Sequence, residues 1–232
     1  MAGKLYVVST PIGNLEDITL RALRILKEVD VIAAEDTRHT RQLLNHFDIH
    51  AKLISFHAYN EHDKINSLME SIESGQNIAL VSDAGTPSVA DPGFLAVREA
   101  MQRNIPIEVI PGVSALTFAV TASGLPVDKF QFRNFAPVKQ GRKQTFLESI
   151  KNANMTVFFF ESPFRVEKTL KAIEEIIGPQ AKVAIIREAT KMYEEIILGS
   201  ASELAALKRD WKGEFVIGVY ANLEDEKDDD NE

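Results

Sequence analysis

The chain contains no cysteine. That excludes disulfides, thiolate nucleophiles and cysteine-bound zinc. No apolar run approaches the roughly 18 residues that a membrane-spanning helix needs. The start, Met1-Ala2-Gly3-Lys4-Leu5, enters an apolar strand pattern without the layout of a signal peptide. A soluble, cytoplasmic protein with no membrane partner is therefore expected. Phosphate-loop signatures are missing too: Gly3-Lys4 is not followed by Ser or Thr, and neither G-x-x-x-x-G-K-[ST] nor G-x-G-x-x-G occurs. Kinase, NTPase and ordinary dinucleotide-binding readings lose their main support. His39, His46, His50, His57 and His62 form no H-E-x-x-H pair, and no metal is expected.

Positive charge is also short, at a net −8, but its distribution matters more than its sum. Residues 224–232 carry seven acids and one lysine, so the body is close to neutral and the end reads as a solvated, disordered acidic tail. The reverse bias falls in residues 129–151, where Lys129, Arg133, Lys139, Arg142, Lys143 and Lys151 face a single acid, Glu148.

What is present is an alternation of short apolar runs and helical patterns in a chain of 232 residues, 45% of them apolar. Leu5–Val8, Val31–Ala34, Lys52–Phe56, residues 77–81 and Ile107–Ile110 read as strands. Between them lie helices, the first carrying Leu20, Leu23 and Leu26 behind an Asp17 or Thr19 cap. This spacing predicts a mostly parallel sheet covered on both faces. After Ser123-Gly124-Leu125-Pro126 the pattern changes. Strands at Phe130–Phe135, Thr156–Phe160, Lys182–Arg187, Tyr193–Leu198 and Phe215–Tyr220 alternate with helices near 141–151, 163–177 and 200–208. The strands at 182 and 193 follow one another without a helix, which predicts an antiparallel pair in a mixed sheet. The expected organisation is an α/β protein with an N-terminal domain over 1–112, a C-terminal domain over 113–221 and a tail over 222–232.

The chain is organised around Ser82-Asp83-Ala84-Gly85-Thr86-Pro87-Ser88-Val89-Ala90-Asp91-Pro92-Gly93, which follows the apolar run Ile78–Val81. Turns from strand to helix need only about 2–6 residues; this one has twelve, with no long side chain. In open α/β sheets ligands bind outside the carboxyl ends of strands, which makes such a loop a place for a small ligand to meet backbone groups. Thr10–Asn14, Glu35–Arg38, His57–Glu61 and Pro111–Ala115 end the other strands and should share that edge.

The run Thr10-Pro11-Ile12-Gly13-Asn14-Leu15-Glu16-Asp17, with Glu35-Asp36-Thr37-Arg38, the 82–93 loop, Pro111-Gly112-Val113-Ser114-Ala115 and Arg187-Glu188-Ala189-Thr190-Lys191, resembles the ribosomal RNA branch of the tetrapyrrole methylase family over residues 4–221. The resemblance implies two α/β domains, a homodimer, S-adenosylmethionine in the cleft between domains without a metal, and methylation of a cytidine ribose 2'-hydroxyl in 16S ribosomal RNA of the small subunit. Carried over by position, Pro11, Gly13, Ala84, Gly85, Thr86, Val89, Ser114, Ala115, Phe160 and Ala189 are the cofactor-binding residues. Two stretches depart from the branch: Asn134-Phe135-Ala136-Pro137 stands for Gly-Phe-Leu-Pro, and Ser162-Pro163-Phe164-Arg165 for Ser-Pro-His-Arg.

Methyl transfer to a hydroxyl needs an in-line approach and a group to take or offset the leaving proton. Glu35, Asp36, Glu188 and Lys191 are the catalytic candidates, and Asn14, Arg38 and Arg165 the substrate-binding ones, the two arginines for phosphate. The alternatives are a tetrapyrrole C-methylase, whose substrate is also a polyanion, and a cofactor-binding protein without catalysis.

Overall fold

The computed structural model describes residues 2–221, so the acidic segment from 222 lies outside the described residues. The chain divides into two compact units, with the break after Ser114.

The first unit runs β1 (Leu5–Val8), α1 (Leu20–Glu28), β2 (Val31–Ala34), α2 (Thr37–His46), β3 (Lys52–Ser55), α3 (Glu61–Glu73), β4 (Ile78–Val81), α4 (Phe94–Gln102) and β5 (Ile107–Ile110). Its sheet has the order β3-β2-β4-β1-β5, and every pairing is parallel. Val-Ile-Ala-Ala in β2 and Ile-Ala-Leu-Val in β4 are buried at every position, because alternate residues enter cores on opposite faces. Val31, Ala33, Ile78 and Leu80 join Leu68, Met69 and Ile72 of α3 and Ala96 and Ala100 of α4. Ile32, Ala34, Ala79 and Val81 join Ala22, Ile25 and Leu26 of α1 and Leu44 of α2. The chain thus moves outward from β1 through β2 to β3 with α1 and α2 on one face. It then returns through β4 to β5 with α3 and α4 on the other, as crossovers of one hand require when the direction of travel reverses.

One expected face is corrected. Leu20 is 86% exposed, and the buried residues of α1 are Ala22, Ile25 and Leu26. Thr19 caps the helix, its Oγ1 accepting the Ala22 N–H at 3.1 Å. This fixes the helical phase so that Leu20, the first residue, faces water.

The second unit runs α5 (Ala115–Ala122), β6 (Phe130–Phe135), α6 (Gln140–Lys151), β7 (Thr156–Glu161), α7 (Val166–Ile176), β8 (Lys182–Arg187), β9 (Glu195–Ser200), α8 (Ala201–Ala205) and β10 (Phe215–Tyr220). Its sheet order is β6-β7-β10-β8-β9; β6 and β7 are parallel and the other neighbours antiparallel, so the sheet is mixed as expected. The β9 ladder begins at Glu195 rather than Tyr193. The Lys191 N–H donates to the Glu188 carbonyl and the Glu194 N–H to the Lys191 carbonyl, and these bonds hold 188–194 as a turn. The helix expected over 200–208 ends at Ala205 and starts from a Ser200–Glu203 capping box.

The fully buried β10 crosses the centre of this sheet. At Gly218 an added Cβ would lie 2.7 Å from Phe158 Cε1, whereas at Gly141 in α6 it would meet nothing within 4 Å. Gly218→Ala should therefore destabilise by about 1–3 kcal/mol through overpacking, and Gly141→Ala should stabilise by about 0.4–1 kcal/mol through the unfolded chain. Urea-unfolding midpoints check both, and a neutral Gly218→Ala would contradict the packing described.

Candidate active site

Strand β4 lies between β2 and β1. The chain leaving β4 goes to the α4 face, while the chains leaving β2 and β1 go to the α1 and α2 face. Neighbouring strands whose connections diverge open a crevice at their carboxyl ends, and the 82–93 loop occupies that position. It is tied to both neighbours. Thr10, just past β1, pairs with Gly85 through two backbone bonds, the Thr10 N–H donating at 2.8 Å and the Gly85 N–H at 3.0 Å. The Thr10 hydroxyl donates to the Ser82 carbonyl at 3.3 Å, and the Ser9 and Thr86 hydroxyls share a bond at 2.9 Å. On the β2 side the Asp36 N–H donates to Asp83 Oδ1 at 2.8 Å and the Asp83 N–H to Glu35 Oε2 at 3.4 Å. The far end is held by buried Glu61, whose Oε1 accepts the Gly93 N–H at 3.2 Å.

The backbone is strained in two places. Among the described residues, the only left-handed ones other than Gly, Asn and Asp are Ser88 (φ 72°), Ala90 (φ 70°), Glu188 (φ 51°) and Thr190 (φ 67°). Such conformations cost about 1–2 kcal/mol each and gather at functional loops. One pair lies in the loop after β4 and the other in the turn after β8.

Three carboxyls meet at the crevice. Burial pushes Asp91 up from 3.8 to about 7, like charge from Glu35 and Asp83 adds to the effect, and the Ser82 hydroxyl opposes it. Burial also raises Glu35, followed by Asp83; the Asp83 N–H and His57 pull the other way. Asp36 differs: the Arg38 guanidinium and N–H drive its carboxyl far below the usual range. It caps α2 and grips Arg38 Nη2 at 2.7 Å. Asn14 is likewise a cap, accepting the Glu16 N–H. Pro11 is buried, and Gly13 and Ala84 are exposed. The Val89 N–H closes a turn on the Thr86 carbonyl. Among the described residues no group of three or more His, Asp or Glu is arranged to hold a metal ion.

In the second unit, Glu188 Oε1 accepts from Lys191 Nζ at 3.1 Å and from the Glu214 N–H at 2.9 Å, and Lys191 also pairs with Glu214 at 2.9 Å. Burial favours the neutral forms of both, but these bonds win. The Glu188 carboxyl lies below its ordinary value and the Lys191 ammonium above its own. Arg165 binds Glu161 Oε1 at 2.7 Å and the Ala136 carbonyl at 3.2 Å. Phe160 packs edgewise on Phe132, and Ala115 and Ala189 join the same apolar cluster. The sequence alone did not single out Ser9, Glu61, Asp83 and Asp91, which tie or charge this loop. The two aspartates lie in the organising loop, and the partners of Asp83 come from just past β2, which only the sheet order reveals.

A parallel sheet with a long loop at its switch point, and a mixed sheet with a strained turn, define a two-unit α/β fold. The chain belongs to the Tetrapyrrole (Corrin/Porphyrin) Methylases, which match residues 4–205, and within them to the relatives named ribosomal RNA small subunit methyltransferase I. The protein of that name from Halalkalibacterium halodurans is 46% identical over 224 residues, covering 96% of this chain and 77% of the relative. Its counterpart from Mycoplasmopsis pulmonis is 44% identical over 215 residues, covering 92% and 96%. The fold is shared with the crystal structure of uroporphyrin-III-C-methyltransferase from Thermus thermophilus, at a TM-score of 0.65 and 19% identity over 94% of each chain. The fold and family expected from the sequence are thus borne out.

Because the Asp91 carboxyl is raised, the folded protein binds a proton there that the unfolded chain has released between pH 3.8 and about 7. Stability should fall across that window as pH rises. Asp91→Asn removes the effect, and its unfolding free energy, followed by thermal denaturation, should gain on wild type from pH 5 to pH 8 by roughly 1–2 kcal/mol for a half-exposed group. A constant difference across the range would show that Asp91 does not titrate there.

Proposed function

We propose that the chain transfers a methyl group from S-adenosylmethionine to the ribose 2'-hydroxyl of a cytidine in 16S ribosomal RNA. One observation carries the reading: the similarity to relatives named for small-subunit ribosomal RNA methylation runs over almost the whole chain. The crevice at β4 fits the donor. Small residues line its loop, and the carboxyls of Asp83 and Asp91 suit a ligand that carries an ammonium and a sulfonium. Pro11, Gly13, Ala84, Gly85, Thr86 and Val89 would hold it; Ser114, Ala115, Phe160 and Ala189 are assigned by the resemblance alone. When bound, the donor supplies a methyl group on a positive sulfur, open to displacement by an oxygen in line.

The residues sort by their protonation. Glu35, raised by burial, is the best-suited proton acceptor among the candidates. Asp36, held far down by Arg38, is a poor base and serves as a cap. Lys191, raised by its two glutamates, remains an ammonium that can offset negative charge but accepts no proton at neutral pH. Glu188 remains a carboxylate that orients Lys191.

Labelled donor incubated with small ribosomal subunits and, separately, with a uroporphyrinogen tests the reaction class. Label is expected on ribose, and label appearing only in the macrocycle would overturn the reading. Glu35→Gln should lower kcat by about 100-fold or more while calorimetry shows donor affinity within a few-fold of wild type. An unchanged kcat would remove Glu35 as the base.

A further inference from the structure

The carboxyl ends of β6 and β7 form one corner of the second sheet. Phe135 pairs with Phe160 across it, and the Arg165 guanidinium, donating to the Ala136 carbonyl at 3.2 Å, ties the loop after β6 to the loop after β7. Two aromatic rings stand open here, Phe164 at 91% and Phe135 at 53% exposure. A lone exposed apolar side chain needs no explanation, but Phe164 sits on a rigid mount. The Arg165 and Val166 N–H groups both donate to the Ser162 carbonyl, and the Ser162 N–H donates to buried Glu161 at 2.7 Å. Its backbone is fixed while its ring meets water.

On the β6 and α6 side of the rings the charge has one sign. Residues 129–147 contain no acid, and Lys139 and Arg142, at the start of α6, are exposed. Glu161, at the end of β7, is buried and already met by Arg165 at 2.7 Å and Lys143 at 3.7 Å, and Glu167 in the first turn of α7 is paired with Lys171 at 2.6 Å. Exposed aromatic rings on fixed backbone beside unpaired cations form the arrangement that binds unpaired nucleic acid: bases stack on the rings and phosphates meet the cations.

We infer that this corner of the second unit is a stacking platform for single-stranded RNA, with Phe164 and Phe135 as base contacts and Lys139 and Arg142 as phosphate contacts. The inference rests on the proposed RNA methylation for its choice of polymer. It also implies a division of labour, in which Arg165 is spent on holding the two loops and the neighbouring cations meet the substrate.

The probe is a short, fluorescein-labelled, single-stranded ribo-oligonucleotide, with the same sequence annealed to its complement as control. Anisotropy should show wild type preferring the single strand. Phe164→Ala should weaken that binding by about 5-fold or more, Phe164→Trp should restore it, and the duplex should bind equally to all three. Lys139→Ala with Arg142→Ala should flatten the salt dependence by about one unit of slope for each cation removed. No binding by wild type, or equal single-strand binding by wild type and Phe164→Ala, would overturn the platform. So would a Phe164→Ala variant that binds RNA as before but changes sedimentation, which would assign the corner to a contact between copies of this chain. Methyl transfer by wild type to small ribosomal subunits is read separately. If it fails while the anisotropy results hold, the reaction is wrong and the platform stands; the reverse pattern keeps the reaction and removes the platform.

Discussion

The first unit depends on a change of direction. After β3 the chain turns back, and because crossovers keep one hand, the helices that follow pack on the opposite face. Strand β4 then enters between β2 and β1, so its exit loop leaves toward one side while its neighbours' loops leave toward the other. That divergence makes the crevice. Polar groups of this loop find partners in the adjacent strand ends: Gly85 in Thr10, Thr86 in Ser9 and Asp83 in Asp36. Close approach extends to the end of β5, where a Cβ on Gly112 would lie 2.8 Å from that of Ser9. A loop this long would ordinarily be mobile. Bonded at both flanks and again at Gly93, it can hold Ser88 and Ala90 in conformations that an unsupported loop would relax.

The electrostatics of the two units differ in a way that bears on chemistry. In the crevice, burial first and like charge second make the Asp91 and Glu35 carboxyls hold their protons more tightly. In the second unit opposite charges are matched. Glu188 and Glu214 share Lys191, Glu195 takes Arg209 at 2.6 Å, and Glu161 takes Arg165. Proton transfer needs groups poised near neutrality, whereas orientation needs groups whose charge does not change. The crevice holds carboxyls with raised proton affinity, and the turn after β8 holds groups kept in their ionised forms.

Much of this was legible in the residues because local signals and burial agree. Ile78-Ala79-Leu80-Val81 read as a strand covered on both faces, and the twelve-residue small-side-chain loop after it as a ligand-facing feature at that edge, and the structure places a fully buried strand there. What was not legible depends on phase or on distance along the chain. Leu20 looked apolar and periodic, yet the Thr19 cap shifts the buried face by a residue. Tyr193 has strand propensity, but the backbone bonds from 188 to 194 claim it for a turn. Asp83 meets its Asp36 partner 47 positions away, a pairing that no window of sequence contains and that the order of strands alone creates.

The placement of Arg165 changes what a cation near a substrate can be taken to mean. Its guanidinium is bound to a carboxylate that is fully buried, and Glu161 also receives Thr169 and lies 3.7 Å from Lys143. A buried carboxylate stripped of one partner costs about 3–5 kcal/mol, so Arg165 is not free to swing toward a phosphate without leaving that charge exposed to a low-dielectric interior. It is more useful where it stands, since its second bond, to the Ala136 carbonyl, fixes the loop after β6 against the loop after β7. An arginine that looks like an anion contact from sequence thus becomes the clasp of the surface. The cations left for an anion are those without a buried partner, and among the described residues Lys139 and Arg142, at the start of α6, are exposed.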